Sequence, residues 1–408
     1  MRDRICRART FALLLIVATL VLAACGSGGK TSATGPLTIG ISLSLTGDFA
    51  DSGTAAEHGY QLWADSVNAQ GGLLGRQVSL KIVDDASSPN QAVSNYQTLI
   101  TRDRVDLVLG PFSSLLTIPT SQIAARYGYA FLEPAGGGPQ VFAAHLHNLF
   151  FVQPAPAVQQ GDVFADYLLS LPADQRPRTA AYPALDDPFA SPIADEVRTR
   201  LEAAGIRTVY QQIYPAETAD LTPVVAAMAA KNPDVVVGGT QSDDAFAMVK
   251  AMLQLKWAPH VLYLSNGANS PSEFPDKVGA ANVNGIFSSG DWFSGAKVAD
   301  NAAFIAAYTK KYGGTANDID STSAEAYSCG QLLSEVAAKT GKIDNATIIS
   351  TLHSGAWSTL EGNLSWNAEG AAHSSYVLVE WLDGQMTAVY PAASAVRAPQ
   401  IVPILNRG

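Results

Sequence analysis

The chain has 408 residues, 47% of them hydrophobic and only 15% charged, with a formal net charge of −10. That length allows two or three domains with full cores, and the composition excludes a disordered chain. An acidic balance without clustered Lys or Arg excludes nucleic acid as the expected partner.

Residues 1–24 read as a secretory signal peptide. MRDRICRAR carries four arginines, the apolar run Phe11 to Leu22 follows, and small residues close it. The run of about 12 is shorter than the roughly 20 that a spanning helix needs. Leu22-Ala23-Ala24-Cys25 resembles the bacterial lipoprotein box, in which Cys25 carries the lipid, becomes the new N-terminus and anchors the chain to a membrane. Residues 25–36 then form the lipidated cysteine and a flexible Gly/Ser/Thr tether. Of the three cysteines only Cys329 belongs to the body of the chain. It sits in the helical pattern AEAYSCGQLLSEVAAK and reads as a small buried residue.

From Leu37 onward strand-like and helix-like runs alternate. LTIGISLSL (37–45) is a buried strand, and GTAAEHGYQLWADSVNAQ (53–70) is a helix with Tyr60, Trp63 and Val67 on one face. After the strand QVSLKIVDD comes a capping box, with Ser88 as N-cap, Pro89 at the first helical position and Gln91 reaching back. VDLVLG and YAFLEPA are the third and fourth strands. RTAAYPAL, IRTVYQQIY, PDVVVGG, HVLYLS and NGIFSSG continue the series. Short apolar strands separated by amphipathic helices predict parallel sheets covered on both faces, and their number predicts an α/β fold of two doubly wound lobes. NLSWNAEG and SSYVLVEWLDGQMTAVYP predict a closing hairpin, and residues 393–408 an extended tail.

In such sheets ligands sit beyond the carboxyl ends of the strands. The residues just after each strand include Ser113-Ser114, Ala135 to Gly138, Asp186-Asp187, Thr240-Gln241, Ser265-Asn266 and Asp291-Trp292. No Gly-x-Ser-x-Gly elbow surrounds Ser113 or Ser114, so catalysis is not expected. His145-x-His147 lacks a third ligand, Asp84-Asp85 lacks a calcium-loop pattern, and PAGGGP matches no nucleotide-binding fingerprint. No metal and no cofactor is expected. Anion holding fits better. Ser114 is expected to cap the helix after the third strand, whose first N–H groups then face the strand end. The backbone of Ala135, Gly136 and Gly137 can approach the same point.

IGISLSLTGDFADSG, the stretch HGYQLWADSVNAQGGLLGRQVSLKIVDDASSPNQAV, VLGPFSS, EPAGGG, YLSNGA, GDWFSG and GNLSWNAEG are similar to type I periplasmic binding proteins. The branch resembled is that of the branched-chain amino acid transporters, the leucine/isoleucine/valine-binding proteins, over about residues 37–385. The resemblance implies a monomeric two-lobed clamp with three crossings, near Pro156, Asp291 and Gly362. The lobes would be 37–156 with 291–361, and 157–290 with 362–392. It further implies a small-molecule ligand delivered to an ABC permease and ATPase, with the ligand carboxylate on Ser114 and on Ala135 to Gly137. A sensor feeding a membrane kinase and, less favoured, a hydrolytic lipoprotein are the alternatives.

Departures from the family pattern accompany the resemblance. The acid that amino acid binders use for the ligand ammonium is matched by Ser265-Asn266, a site tyrosine by Thr240, an aromatic of the first helix by Ser52, and a second-lobe tyrosine by Phe189. The disulfide pair of well-known members is matched by Ser87 and Ser113. The ligand is therefore expected to be a carboxylate or polar molecule other than a standard branched-chain amino acid, unless Asp291, Asp187 or Glu133 supplies an acid. Trp292 and Phe189 are expected to flank the ligand body, with Gln153, Gln241 and Asn266 as further cleft residues.

Overall fold

The computed structural model describes residues 35–401. The signal segment, Cys25 with most of the tether, and residues 402–408 of the tail lie outside the described residues.

The first lobe begins with β1 (Leu37–Leu43), α1 (Ala50–Ala69), β2 (Val78–Asp84), α2 (Pro89–Thr101), β3 (Leu107–Leu109), α3 (Ser114–Arg126), β4 (Phe131–Glu133), α4 (Pro139–Phe142) and β5 (Leu149–Phe151). The strands form a parallel sheet in the order β2-β1-β3-β4-β5. β1 is an interior strand and almost wholly buried, which is why its sequence is a continuous apolar run with only small polar interruptions. β5 is not among the expected strands. Its three residues, Leu-Phe-Phe, are too short to show a period, and pairing with β4 decides their state. At the start of α2 the Ser88 hydroxyl accepts the Gln91 N–H at 3.4 Å. Gln91 does not reach back to complete a box, because its amide donates to Asn95 at 2.8 Å.

The second lobe contains α5 (Val158–Ser170), β6 (Thr179–Leu185), α6 (Ala190–Ala203), β7 (Arg207–Tyr214), α7 (Thr222–Ala229), β8 (Val235–Gly238), α8 (Ser242–Leu255), β9 (Val261–Leu264), α9 (Glu273–Val278) and β10 (Ile286–Gly290). Its sheet order is β14-β13-β10-β9-β8-β6-β7, in which β6 to β10 run parallel. β13 (Val377–Leu382) and β14 (Gln385–Tyr390) add an antiparallel hairpin. Asp383 and Gly384 join them with φ of +53° and +75°, the positive pair a two-residue turn requires.

Between the two visits to the second sheet the chain returns to the first lobe through α10 (Asn301–Tyr312), α11 (Ser321–Thr340), α12 (Asn345–Leu352) and the small hairpin β11 (Trp357–Thr359) and β12 (Gly362–Leu364). NLSW therefore pairs with Trp357–Thr359 rather than with the closing hairpin. α11 packs against α1 at close range. A Cβ on Gly330 would lie 2.1 Å from the Trp63 ring, and one on Gly59 2.1 Å from the Ser323 carbonyl. Cys329 is buried in this interface region, beside Leu332 and Leu333 in the first core.

Core membership locates the crossings. Val152 belongs to the first core and Ala155 to the second. β10 lies in the second sheet, while Trp292 packs with Leu62 and Leu360 of the first lobe. The third crossing, expected near Gly362, is corrected. Leu364, Trp366 and Ala372 pack in the first core and Tyr376 in the second, so the chain crosses between 372 and 376. Trp366 is held there by its indole N–H, which donates to the Phe151 carbonyl at 2.7 Å. The described part of the tail runs along the closing hairpin, with Val396 N–H on the Ala388 carbonyl.

Candidate functional site

In both sheets the strand order reverses, at β1/β3 and at β6/β8, and a crevice opens outside the strand ends there. The carboxyl ends of β3 and β4 face those of β8 and β9 across a narrow cleft lined from both lobes. The two lobes touch at its edge. Ser270 donates to Asp320 at 3.1 Å, and a Cβ on Gly138 would come within 2.4 Å of the Pro188 carbonyl.

On the first-lobe wall stand Ser113, Ser114, Ala135, Gly136 and Gly137. Ser114 does not cap α3, contrary to expectation. The chain turns one residue earlier, at Ser113, which is the N-cap with φ +78° and makes no capping bond. Ser114 is the first helical residue, and its Oγ accepts the Gly138 N–H at 2.9 Å, leaving its own proton to donate. Ser113 is 4% exposed and its Oγ has no partner. The N-terminus of a 13-residue helix thus lies at the cleft without a side-chain cap. Bare backbone is forced next to it. A Cβ on Gly136 would sit 2.7 Å from Thr117 Oγ1 and 3.0 Å from Glu133 Oε2, and one on Gly137 2.4 Å from the Phe151 ring. Behind this wall Glu133 is fully buried, with Oε2 accepting from Thr117 at 3.2 Å and Oε1 unpartnered. Burial pushes its carboxyl up to about 8, against the opposing bonds from Thr117 and the Ala135 N–H.

The second-lobe wall carries Phe189, Gln241 and Asn266. Its helix ends are closed by their own side chains. Asp187 Oδ1 accepts the N–H groups of Phe189 and Ala190 at 2.8 and 3.0 Å. Asp244 accepts the Gln241 N–H at 2.8 Å at the start of α8. The Gln241 amide donates to Asp187 at 3.2 Å and accepts from Asn266 at 2.8 Å. Burial raises both acids, Asp244 to about 7. Asp187 is thereby committed to capping.

Gln153 and Asp291 line the cleft from the crossings. Gln153 is held by the Pro134 carbonyl at 2.9 Å and by the Tyr376 hydroxyl at 2.9 Å. Two expected residues are not in the cleft. Thr240 is fully buried, its hydroxyl donating to the Asn266 carbonyl at 2.9 Å. Trp292 is 2% exposed, bonded to Asn301 at 2.8 Å and packed edge-on against Phe304. It is a core residue, because the chain enters the first lobe at that point. His145 and His147 take different neighbours, Glu369 and the stacked His353.

Residues missed from sequence include Gln160, Asn269, Ser321 and Glu325. They lie on helices or beyond the first residues after a strand. Glu325 carried a signal, being an acid among small and apolar residues on the buried face of a helix. Asp291 faces it, and Glu361 lies behind, lining an adjoining hinge cavity with Asp291.

Residues 36–385 match the family model described as periplasmic binding protein. The chain is 23% identical over 397 residues to a "Leu/Ile/Val-binding protein homolog 7" of Brucella melitensis, covering 91% of this chain and 96% of that protein. In structure it is similar to the branched-chain amino acid transporter substrate-binding protein of Streptococcus pneumoniae in complex with isoleucine, with TM-score 0.77, 21% identity, and coverage of 86% and 98%. It is equally similar to a solute-binding protein of an ABC transporter from R. palustris in complex with benzoate, with TM-score 0.77, 20% identity, and coverage of 89% and 98%.

Proposed function

Since this chain belongs to the periplasmic binding protein family, we propose that it is an extracytoplasmic solute-binding lipoprotein, anchored through Cys25 and acting as a monomer. It captures a small carboxylate-bearing ligand in the interlobe cleft and delivers it to an ABC permease and ATPase. The observation that carries this reading is the uncapped N-terminus of α3 at the cleft wall, beside an unpartnered Ser113 hydroxyl. A carboxylate satisfies both, with Ser114 and the backbone of Gly136 and Gly137 as further contacts. Hydrogen bonds to a charged group contribute about 1.5–3 kcal/mol each, so three or four suffice for micromolar affinity after binding costs. No catalytic role is assigned: Ser113 Oγ has no partner and Ser114 Oγ is met by the Gly138 N–H, so neither serine is bonded to a base.

The Brucella and S. pneumoniae proteins are named for branched-chain amino acids, and the R. palustris solute-binding protein is in complex with benzoate. Both ligand types share the carboxylate. The acid expected after β9 in amino acid binders is Ser265-Asn266 here, which favours a ligand other than leucine, isoleucine or valine. Thermal shift and titration calorimetry on protein starting at Gly26 test the reading with acid and amide pairs, such as benzoate with benzamide and leucine with leucinamide. Whichever acid binds, its amide is expected to fail, with affinity reduced about 10- to 100-fold in Ser114→Ala. Equal binding of acids and amides would overturn it.

A further inference from the structure

The hinge end of the cleft has the opposite polarity from the α3 end. Glu325, on the second turn of α11, is 3% exposed, lines the cleft, and leaves Oε2 without a partner; its Oε1 accepts from Ser321 at 3.2 Å. Asp291, at the second crossing, lies against it and lines the same cleft. Glu361 is 5% exposed, and neither of its carboxyl oxygens has a partner. From the second lobe Gln160, 8% exposed, also turns an unpartnered Oε1 into the cleft. Four buried acceptors here lack donors, Glu325 Oε2, both oxygens of Glu361 and Gln160 Oε1, which is costly, while Asp291 Oδ1 takes the Trp292 N–H at 2.6 Å. Other titratable groups around it bring no cation inside. Asp320 stands at the start of α11, Cys329 lies one turn beyond Glu325, and Tyr376 approaches from the third crossing. Lys297 lines only the adjoining hinge cavity and is exposed. Among the described residues no three such side chains form a group that could hold a metal ion.

Resting on the carboxylate reading above, we infer that Asp291 and Glu325, backed by Glu361, form a cation subsite that receives an ammonium or guanidinium group of the ligand, which displaces protons these carboxyls share in its absence. Burial, then the neighbouring Asp291 and Glu361, hold the Glu325 carboxyl well above the usual range, and burial followed by Asp291 does the same for Glu361. A cation placed between them offsets their mutual repulsion and ionises them. The ligand is then an amine-bearing carboxylate. Its amine is met at the hinge rather than beyond β9.

The test uses pairs that differ by the amine alone: leucine with 4-methylpentanoate, phenylalanine with 3-phenylpropionate, and 4-aminobutyrate with butyrate. Calorimetry is run in phosphate and in Tris, whose ionisation enthalpies differ, so that proton release is read directly. At least one amine-bearing member is expected to bind ten-fold or more tighter than its partner with release of protons. Glu325→Gln should lower that affinity at least ten-fold and abolish the release, and Glu361→Gln should reduce the release if Glu325→Gln fails to fold. Amine-free acids binding as tightly, with no proton release and no effect of either variant, would overturn the subsite and leave the carboxylate reading standing. Silence from every pair would overturn both.

Discussion

The two cleft walls meet the same problem, helix N-termini pointing at a shared space, and solve it differently. In the second lobe the N–H groups at the start of α6 are taken by Asp187, and Asp244 closes the start of α8. In the first lobe α3 begins at Ser113 with no side-chain bond, and its hydroxyl is left over. A protein seeking only stability would cap α3 as well, at a gain of about 1 kcal/mol. Leaving it open reserves its donors. On the proposed function, the first lobe is the wall that receives the ligand's carboxylate.

Transplanting the second lobe's solution into the first gives the largest expected effect. Ser113→Asp supplies an internal carboxylate at the open helix end, where the surrounding structure already holds a non-glycine residue at φ +78° and ψ 147°. Carboxylate affinity should fall at least about 100-fold by calorimetry, while the melting temperature holds or rises. Unchanged binding would show that the open end is not the anion site. Ser114→Ala removes one donor only, and should weaken binding by about 10- to 100-fold.

A pH series separates the walls further. Glu133, beneath Gly136, has its carboxyl at about 8, above its unfolded value. The folded state therefore holds a proton that the unfolded chain releases, and stability falls as pH rises from about 4.5 to about 8. Ionised, Glu133 also repels a carboxylate placed above it. Affinity at pH 9 should be about ten-fold below that at pH 7, and Glu133→Gln should flatten the affinity trend while removing only its share of the stability slope, which Asp244, Glu325 and Glu361 also carry. If Glu133→Gln leaves both slopes intact, another group controls them. The smallest effect is expected on the sealed wall. Asp187→Asn should cost about 1 kcal/mol of stability by denaturant titration and change affinity less than about two-fold. A large affinity loss there would return Asp187 to the ligand site.

Much of this was legible along the chain. Alternating apolar runs and helical periods determined two parallel-sheet lobes, because burial on both faces demands continuous apolar strands. The strand-end rule then located Ser113, Ser114, Gly136 and Gly137, since those residues are contiguous with the strands that aim them. Strand β5 escaped because three residues show no period, and the third crossing was misplaced because tertiary packing of Trp366 holds the chain on the first lobe. Trp292 and Thr240 follow strands as the cleft residues do, yet packing turned them inward. Only the tertiary structure could assemble the hinge carboxylates. Asp291, Glu325 and Glu361 belong to a crossing, a helix and a hairpin turn, and no local spacing relates them. Their proximity is created by the packing of the first lobe around the crossing, and the same packing buries Glu325 and Glu361 and leaves three of their four carboxyl oxygens without a partner.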